Sequence, residues 1–287
     1  MRNIGYLVPQ ENDKYDIARI PRAFSDECYG EFLRFTNIVE KLQPIGVQYQ
    51  SINLSFSAFN ETIAELTSSY AKANMHSNMV TDSLNHVSLV ANRVLNVLTA
   101  ASAFLTSTEI RIKKLYGEGS NQLKSWNNLR RDLHKNSFAY QFMYELRNYS
   151  QHNSLPISRL SVKVDKVKNE SHFIVQVSKQ DLLQSGYDWG KYKKLIASGN
   201  DLLDLSPLLE EYVNISKQLF LAFLDLSSEA INDCGKYLDV LAVTFRFPKG
   251  SIPVIFVDGG EQENETQSHH VFIPFQNYQW LITLKKA

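Results

Sequence analysis

The spacing of apolar residues predicts two helices near the start of the chain. Apolar side chains recur at steps of three and four over residues 32–42 and again over 52–70, so each series lies on one face of a helix. Pro44 and Gly46 stand between the two series, and both residues disfavour a continuous helix. The pattern therefore predicts two helices that form an antiparallel pair.

Three longer helical stretches are predicted farther along the chain. The first runs from about 82 to 116, and the third covers roughly 208–243. The second covers roughly 122–155 and ends before Pro156, because the residue that precedes a proline avoids the helical region. A polar Lys-Asn-Ser sequence at 135–137 is a candidate interruption of this second helix.

Alternation of apolar and polar residues predicts strands in two places. A β-hairpin is expected over 160–178, where two alternating stretches flank a turn-like Lys-Asn-Glu-Ser sequence. C-terminal strands are expected over 250–287. The individual candidates there are 252–257, 270–274 and 278–284, joined by an acidic turn at 258–265.

These patterns predict a single domain over 1–287 that is mainly α. The expected architecture is a helical bundle with a β-hairpin insertion and a small C-terminal antiparallel β annex. A chain of 287 residues that is 44% hydrophobic and 11% aromatic can bury a sizeable core, which excludes a disordered protein. No apolar run approaches the roughly 20 residues that cross a bilayer, and we expect a cytoplasmic protein without a membrane contact.

The charge balance excludes a general polyelectrolyte binder. The chain has 30 basic and 30 acidic residues, so its formal net charge is zero. Locally, residues 111–135 contain seven basic and two acidic residues, whereas residues 201–239 contain eight acidic and two basic ones. The basic stretch leads into the helix over 122–155, as an RNA-facing surface would. The alternative is that both stretches are solvated helix faces.

Common motifs of enzymes and metal sites are missing from the sequence. It contains no P-loop, GxGxxG, GxSxG, HExxH, EF-hand or CxxC pattern, which excludes the usual kinase, dinucleotide-binding, hydrolase and zinc-protease classes. Cys28 and Cys234 lie far apart and are expected to be buried thiols. His269 and His270 are adjacent on a predicted strand and would face opposite sides. The sequence therefore predicts no cofactor and no metal site.

One segment carries a chemically coherent set of residues. Arg147 and Asn148 precede His152 by five and four residues near the end of a predicted helix. Residues four apart share a helix face, so Asn148 is expected to hydrogen-bond the His152 ring and fix its orientation. Arg147 and His152 lie about 140° apart around the axis, but long side chains could still converge on one phosphate. In a chain of this length and composition, roughly 0.02 matches to Arg-Asn followed by His at this spacing are expected by chance.

This segment suits the cleavage of RNA without a metal ion. His152 can take or give the proton of a ribose 2′-hydroxyl or of a leaving oxygen. Arg147 can hold the phosphate and stabilise the negative charge of the transition state. A single histidine does not easily serve as both base and acid on opposite sides of an in-line displacement.

The segment resembles the R-x4-6-H motif of HEPN domains, in which a polar residue often follows the arginine. The resemblance covers this motif and the helix order around 82–156. It implies a HEPN-like α-helical bundle and a metal-independent endoribonuclease of toxin–antitoxin or phage-defence systems. Arg147 and His152 would then be catalytic, Asn148 would orient the histidine, and RNA would be the substrate. The resemblance also implies a homodimer that brings two Arg/His pairs into one cleft, with an antitoxin or defence-system protein as a candidate partner.

Other interpretations remain open. The chain could be a non-catalytic HEPN-like module that binds a protein partner or a nucleotide, or a structural helical subunit of a larger assembly. In those cases Arg147 would pair with an acidic side chain and His152 would cap the helix. Three tyrosines of the segment could stack on bases, although at this spacing packing in the bundle is favoured: Tyr140, Tyr144 and Tyr149. His134 lies near the motif only along the chain and is not expected to take part.

Overall fold

The computed structural model describes residues 2–72, 79–165, 170–257 and 269–286, and it shows a mainly helical protein with two small antiparallel sheets. The helices are α1 (Asp26–Lys72), α2 (Met79–Tyr116), α3 (Asn121–Asn136), α4 (Phe138–His152), α5 (Lys179–Gln184), α6 (Tyr192–Ala197), α7 (Leu205–Asp225), α8 (Ser228–Phe245) and α9 (Phe275–Lys286). The strands are β1 (Arg2–Pro9), β2 (Tyr15–Ala23), β3 (Arg159–Asp165), β4 (Glu170–Ser178), β5 (Leu202–Asp204), β6 (Ile252–Val257) and β7 (His269–Phe272). The predicted fold class, mainly α with a β component, is confirmed.

The chain forms two compact units. One consists of Met1–Pro44 with Leu224–Ala287, and the other of Ile45–Phe223. The first unit therefore combines both ends of the chain, while the second is continuous. The single domain that the sequence predicts over 1–287 stays a prediction, because the compactness of two units does not decide whether they fold together.

The first unit contains a four-stranded antiparallel sheet in the order β2-β1-β6-β7. Ile4 of β1 pairs with Ile255 of β6, and both side chains are fully buried. Gly5 is required beside them, because a Cβ there would overlap the backbone carbonyl of Ala18 and the ring of Phe256. The C-terminal part of the chain is thus held by two N-terminal strands that the helical periodicity did not reveal.

The second unit has an aromatic centre to which four helices contribute. Tyr49 of α1 stacks on Phe220 of α7 with ring centroids 4.2 Å apart, and Phe104 of α2 meets Phe220 edge-on at 6.4 Å. Trp126 of α3 is buried and donates its indole N–H to the carbonyl of Leu219 at 3.3 Å. These contacts fix α3 against α7 and leave α4 packed on the same surface.

The predicted hairpin is confirmed in this second unit. Strands β3 and β4 pair antiparallel, and β5 adds a third strand along β4. Phe173, Val175 and Val177 alternate toward the interior of β4, as the period of two requires. The tip of the hairpin, residues 166–169, lies outside the described residues.

The helices predicted over 82–116 and 122–155 are present with small differences in their bounds. The first is α2, which ends where Gly117 adopts a positive φ of 90° and donates its N–H to Lys113. The second is divided into α3 and α4 at Ser137, inside the polar sequence at 135–137. The Ser137 hydroxyl accepts the N–H of Tyr140 at 2.9 Å and so begins a new helix.

The predicted break at Pro44 and Gly46 is wrong. Helix α1 runs through Pro44 without interruption. Leu42, Ile45 and Tyr49 are all buried, so the apolar stripe keeps its helical period across the proline. Packing along this stripe outweighs the one hydrogen bond that a proline removes from a helix.

Two further predictions near the C-terminus are corrected. The helix expected over 208–243 is divided, because Ser227 leaves the helical conformation and closes α7 with an N–H bond to Leu224. The strand expected over 278–284 is helix α9 instead. Leu281 and Leu284 are buried three residues apart, which is a helical rather than a strand spacing. The acidic turn at 258–265 lies outside the described residues.

Within the described ranges, one helical segment is long and apolar enough to cross a membrane by length and composition alone. It is Leu84–Tyr116 of α2, and 39% of its most apolar window is buried in the protein. Val90, Val94 and Leu98 of this segment are fully buried. A core helix of a soluble protein meets the same criterion, so the segment is only a weak indication of a membrane span.

Candidate functional site

The predicted motif lies on the last two turns of α4. The helix ends at His152, four residues before Pro156, and the N–H of Asn153 closes it by donating to Tyr149 at 2.9 Å. Phe142, Leu146 and Tyr149 are buried and hold this part of α4 against the protein. The position of the motif is therefore fixed by packing rather than by the motif residues themselves.

Arg147 is half-buried, and only some of its N–H groups have a hydrogen-bond acceptor among the described residues. Its Nη1 donates to Asn148 Oδ1 at 3.2 Å. Its Nε is buried, and no acceptor for it exists in the part of the chain that the structure describes. A buried guanidinium N–H without an acceptor is uncommon, because desolvation of a charged donor costs free energy. The predicted alternative, an ion pair with an acidic side chain, is not formed among these residues.

His152 is exposed at the C-terminal residue of α4. The regular helix places it about 140° around the axis from Arg147, so the two side chains leave the helix in different directions. The described residues provide no hydrogen bond to its ring. Asn148 was expected to orient this ring, but the hydrogen bond that its side chain makes is with Arg147.

Arg147 lies near several tyrosines. It lies seven residues after Tyr140 on the same face of α4, and the Tyr140 ring lies 5.6 Å from that of Tyr212 on α7. Burial raises the pKa of Tyr212, the phenols of Tyr140 and Tyr144 raise it further, and the positive charge of Arg147 opposes this. The Arg147 charge therefore acts on the buried phenol of Tyr212.

The three tyrosines of α4 differ in exposure. Tyr140 and Tyr149 are 2% and 3% exposed and pack inside the protein. Tyr144 is 41% exposed, so its ring is accessible from solvent. Tyr144 precedes Arg147 by three residues and Asn148 by four, and such residues are neighbours on a helix surface. Of the three rings, that of Tyr144 is the one available for stacking beside the motif.

A second cluster, which the sequence did not indicate, surrounds His134 of α3. Three rings lie roughly perpendicular to its imidazole: Tyr140 at 5.1 Å, Tyr144 at 6.3 Å and Tyr192 at 6.3 Å between centroids. The Tyr192 hydroxyl lies 3.3 Å from His134 Nε2. Burial lowers the pKa of His134, as do the nearby charges of Lys191 and Arg130, whereas Glu145 opposes the shift. His134 of α3 thus contacts α4 through the rings of Tyr140 and Tyr144.

A buried tryptophan brings α6 to His134. Trp189 stacks against Tyr149 and Phe142 of α4 at 5.2 Å and 6.4 Å, and it donates its N–H to the Leu182 carbonyl at 2.8 Å. The chain then turns directly into α6, whose first residue is Tyr192. The run Lys-Tyr-Lys-Lys at 191–194, in which cations flank an aromatic residue, is the sequence feature that could have pointed to this neighbourhood.

The described residues that could bind a metal ion do not form a cluster. No group of three or more His, Cys, Asp or Glu side chains with metal-binding geometry is present in ranges 2–72, 79–165, 170–257 and 269–286. Cys28 is exposed, which corrects the prediction of a buried thiol, because it lies on the outer side of the first turns of α1. Cys234 is buried as predicted, and burial raises its pKa to about 12. His269 and His270 are both exposed on β7.

No protein-family model matches the chain, and neither a curated protein nor a solved structure is significantly similar to it. The resemblance to HEPN domains therefore stays a prediction that rests on the residues from Arg147 to His152.

Proposed function

We propose that the protein is a metal-independent endoribonuclease that cleaves RNA through its 2′-hydroxyl, acting in the cytoplasm as a toxin or phage-defence effector. The observation that supports this most directly is Arg147, a half-buried guanidinium with one N–H donor lacking an acceptor in the described structure. It lies near the end of the same helix that presents His152 to solvent. Phosphate oxygens are natural acceptors for the other N–H groups of this guanidinium, because the side chain is half-buried rather than enclosed.

The two side chains have separate roles in the proposed reaction. The neutral imidazole of His152 removes the proton of the 2′-hydroxyl, and the 2′-oxygen attacks the adjacent phosphorus. The bond from phosphorus to the 5′-oxygen breaks, which leaves a 2′,3′-cyclic phosphate and a 5′-oxygen that takes up a proton. Arg147 binds the phosphate oxygens and stabilises their added charge in the transition state. Asn148 positions Arg147 through the hydrogen bond to Nη1.

The proposed site needs a second proton-transfer group. One imidazole that has accepted the 2′-proton is on the wrong side to protonate the departing 5′-oxygen in an in-line displacement. A two-fold dimer with α4 at or near its interface would supply a second His152. The same arrangement would also bring two guanidinium groups to one phosphate.

Three substitutions test the proposed site. Arg147→Ala and His152→Ala should each lower RNA cleavage by about 10²–10³, which is the typical loss when one donor to the reacting group is removed. Arg147→Lys should not restore the rate, because an ammonium lacks the planar fork that grips two phosphate oxygens. The measurement is the decay rate of a labelled single-stranded RNA, with circular dichroism to confirm the helical fold.

Gln151→Ala is the matched control. Gln151 precedes His152 on the same exposed turn and carries no charge. Its replacement should leave the cleavage rate within about twofold, since surface changes away from a site have small effects. Unchanged cleavage in either Arg147→Ala or His152→Ala, with the fold intact, would exclude this site.

A further inference from the structure

The space around His134 forms a cleft with two adjacent parts, which we call the His134 cleft. The inner part has a volume of about 440 Å³ and the outer part about 680 Å³. Arg131, His134 and Tyr192 line both parts, so the two lie side by side. All of these residues belong to the second unit. The inner part is large enough for an aromatic base, and the outer part opens to solvent.

The outer part is strongly basic. Four cationic side chains line it, and its described lining contains no carboxylate: Arg131, Lys135, Lys191 and Lys194. All four are exposed, so their charges are available to a ligand. The one acid of the inner part, Glu109, is already held by Lys113 at 3.1 Å and Arg130 at 2.9 Å. The net field of the cleft therefore favours an anion such as a phosphate.

The inner part is aromatic and has one free acceptor. The rings of Tyr140, Tyr144 and Tyr192 line it together with the His134 imidazole. Asn127 also lines it, and its Oδ1 is buried with no hydrogen-bond partner in the portion of the chain that is described. Aromatic rings together with a polar acceptor suit a nucleobase, whose faces are apolar and whose edges donate hydrogen bonds.

We propose that the His134 cleft binds one nucleotide of a single-stranded RNA, with the base against the tyrosines and the phosphate on the basic side chains. Base stacking inside the cleft requires an unpaired base, because a paired base is already stacked in its duplex. Tyr144 lies at the rim of the cleft and is a surface neighbour of Arg147 on α4. The strand would therefore pass from the cleft toward Arg147. This inference adds a subsite to the proposed nuclease and rests on that proposal only for the identity of the strand.

The test uses a probe that the proposed nuclease chemistry cannot cleave. A fluorescein-labelled 2′-O-methyl RNA pentamer of adenosines lacks the 2′-hydroxyl nucleophile, so binding to the full-length protein is measured apart from cleavage. The expected result is a rise in the fluorescence anisotropy of the pentamer when the protein is added. A duplex of the same sequence should bind at least tenfold more weakly. Failure of cleavage with retained pentamer binding would refute the nuclease and leave the cleft supported.

Lysine substitutions at the start of α6 provide a matched comparison. Lys191→Ala combined with Lys194→Ala should weaken binding of the pentamer about tenfold or more, since two phosphate contacts are lost. Lys193→Ala, an exposed lysine between them that does not line the cleft, should change binding less than twofold. Tyr144→Ala should weaken binding of the pentamer about tenfold, because a stacking contact with the base is lost.

Three results would overturn the proposal. The first is no binding of the pentamer at millimolar protein concentration and low salt. The second is equal weakening by Lys193→Ala and by the double variant, which would indicate a diffuse charge effect. The third is binding of adenosine 5′-monophosphate as tight as that of the pentamer, which would assign the cleft to a free nucleotide rather than to a strand.

Discussion

The two histidines of the α3–α4 region stand in opposite surroundings. His134 is half-buried between tyrosine rings and beside cations, whereas His152 is exposed at the end of its helix. The surroundings of His134 oppose its protonation, which suits a ring that contacts a base. Exposure of His152 leaves it free to exchange protons with a substrate and solvent, as a general base requires.

The environment of His134 has a consequence for stability. Its pKa is lowered in the folded state by burial, by Lys191 and by Arg130, with Glu145 opposing. Below the ordinary histidine value of 6.5, the unfolded chain therefore binds more protons at this position than the folded one. The free energy of unfolding should fall as pH drops through 6.5, with a slope of at most about 1.4 kcal/mol per pH unit from this residue.

His134→Gln isolates this effect, because glutamine has no titratable group and can still accept the Tyr192 hydroxyl. Urea unfolding at pH 7.5 and pH 5.5 should show a smaller loss of stability for the variant than for the wild type. Identical losses in the two proteins would show that His134 titrates normally in the folded state.

At the residue scale, the sequence predicted some features of the site and missed others. The positions of Arg147 and His152 near a helix end followed from periodicity and Pro156. The partner of Asn148 did not, because the side chain of the adjacent arginine can fold back onto it. The His134 cleft was missed because Lys191 and Tyr192 lie 57 and 58 residues after His134, and Trp189 packing brings them near.

At the scale of elements, Ser137 sets the direction of α4. It is 8% exposed, caps α4 by accepting the Tyr140 N–H, and donates its hydroxyl hydrogen to Glu211 of α7 at 2.6 Å. Its own N–H closes α3 on Leu133. One residue therefore ends α3 with its backbone N–H, and its side chain caps α4 and ties it to α7.

We expect Ser137→Ala to lower the free energy of unfolding by about 1–2 kcal/mol, since it removes a cap and a hydrogen bond to a charged group. Ser120→Ala is the comparison, because Ser120 caps α3 through the Leu123 N–H at 3.2 Å with no further side-chain partner shown. That change should cost about 0.5–1 kcal/mol. Urea denaturation followed by circular dichroism measures both. A cost at Ser137 no larger than at Ser120 would contradict its linking role.

The elements that the sequence predicted well are those whose local pattern and packing agree. Helix α2 and the β3–β4 hairpin have a clear period and a buried face, so propensity and tertiary structure point the same way. Helix α9 was mistaken for a strand because its apolar, aromatic composition favours strands, whereas Tyr278 packs on Gly235 of α8 where a side chain would not fit. Strand β2 is mostly exposed and so offered little pattern to detect.

At the scale of the whole molecule, the proposed mechanism requires two chains. Multi-angle light scattering at micromolar concentration should give twice the 32.9 kDa of one chain. A single-chain mass in a preparation that still cleaves RNA would contradict the dimer, because one chain would then supply both proton transfers. The expected dependence of cleavage on protein concentration provides a second check, since dilution below the dissociation constant should lower the specific activity.

The central claim is that Arg147 and His152 cleave RNA with its own 2′-hydroxyl, and the products of the reaction test it most directly. Purified protein is incubated in EDTA with a 5′-labelled single-stranded RNA and with a DNA of the same sequence, beside the His152→Ala variant. We expect RNA fragments with 2′,3′-cyclic or 3′-phosphate ends, free 5′-hydroxyls on the other fragments, intact DNA, and cleavage by the variant that is about 10²–10³ slower. Cleavage that stops in EDTA and returns with Mg²⁺, or equal cutting of the DNA, would contradict it.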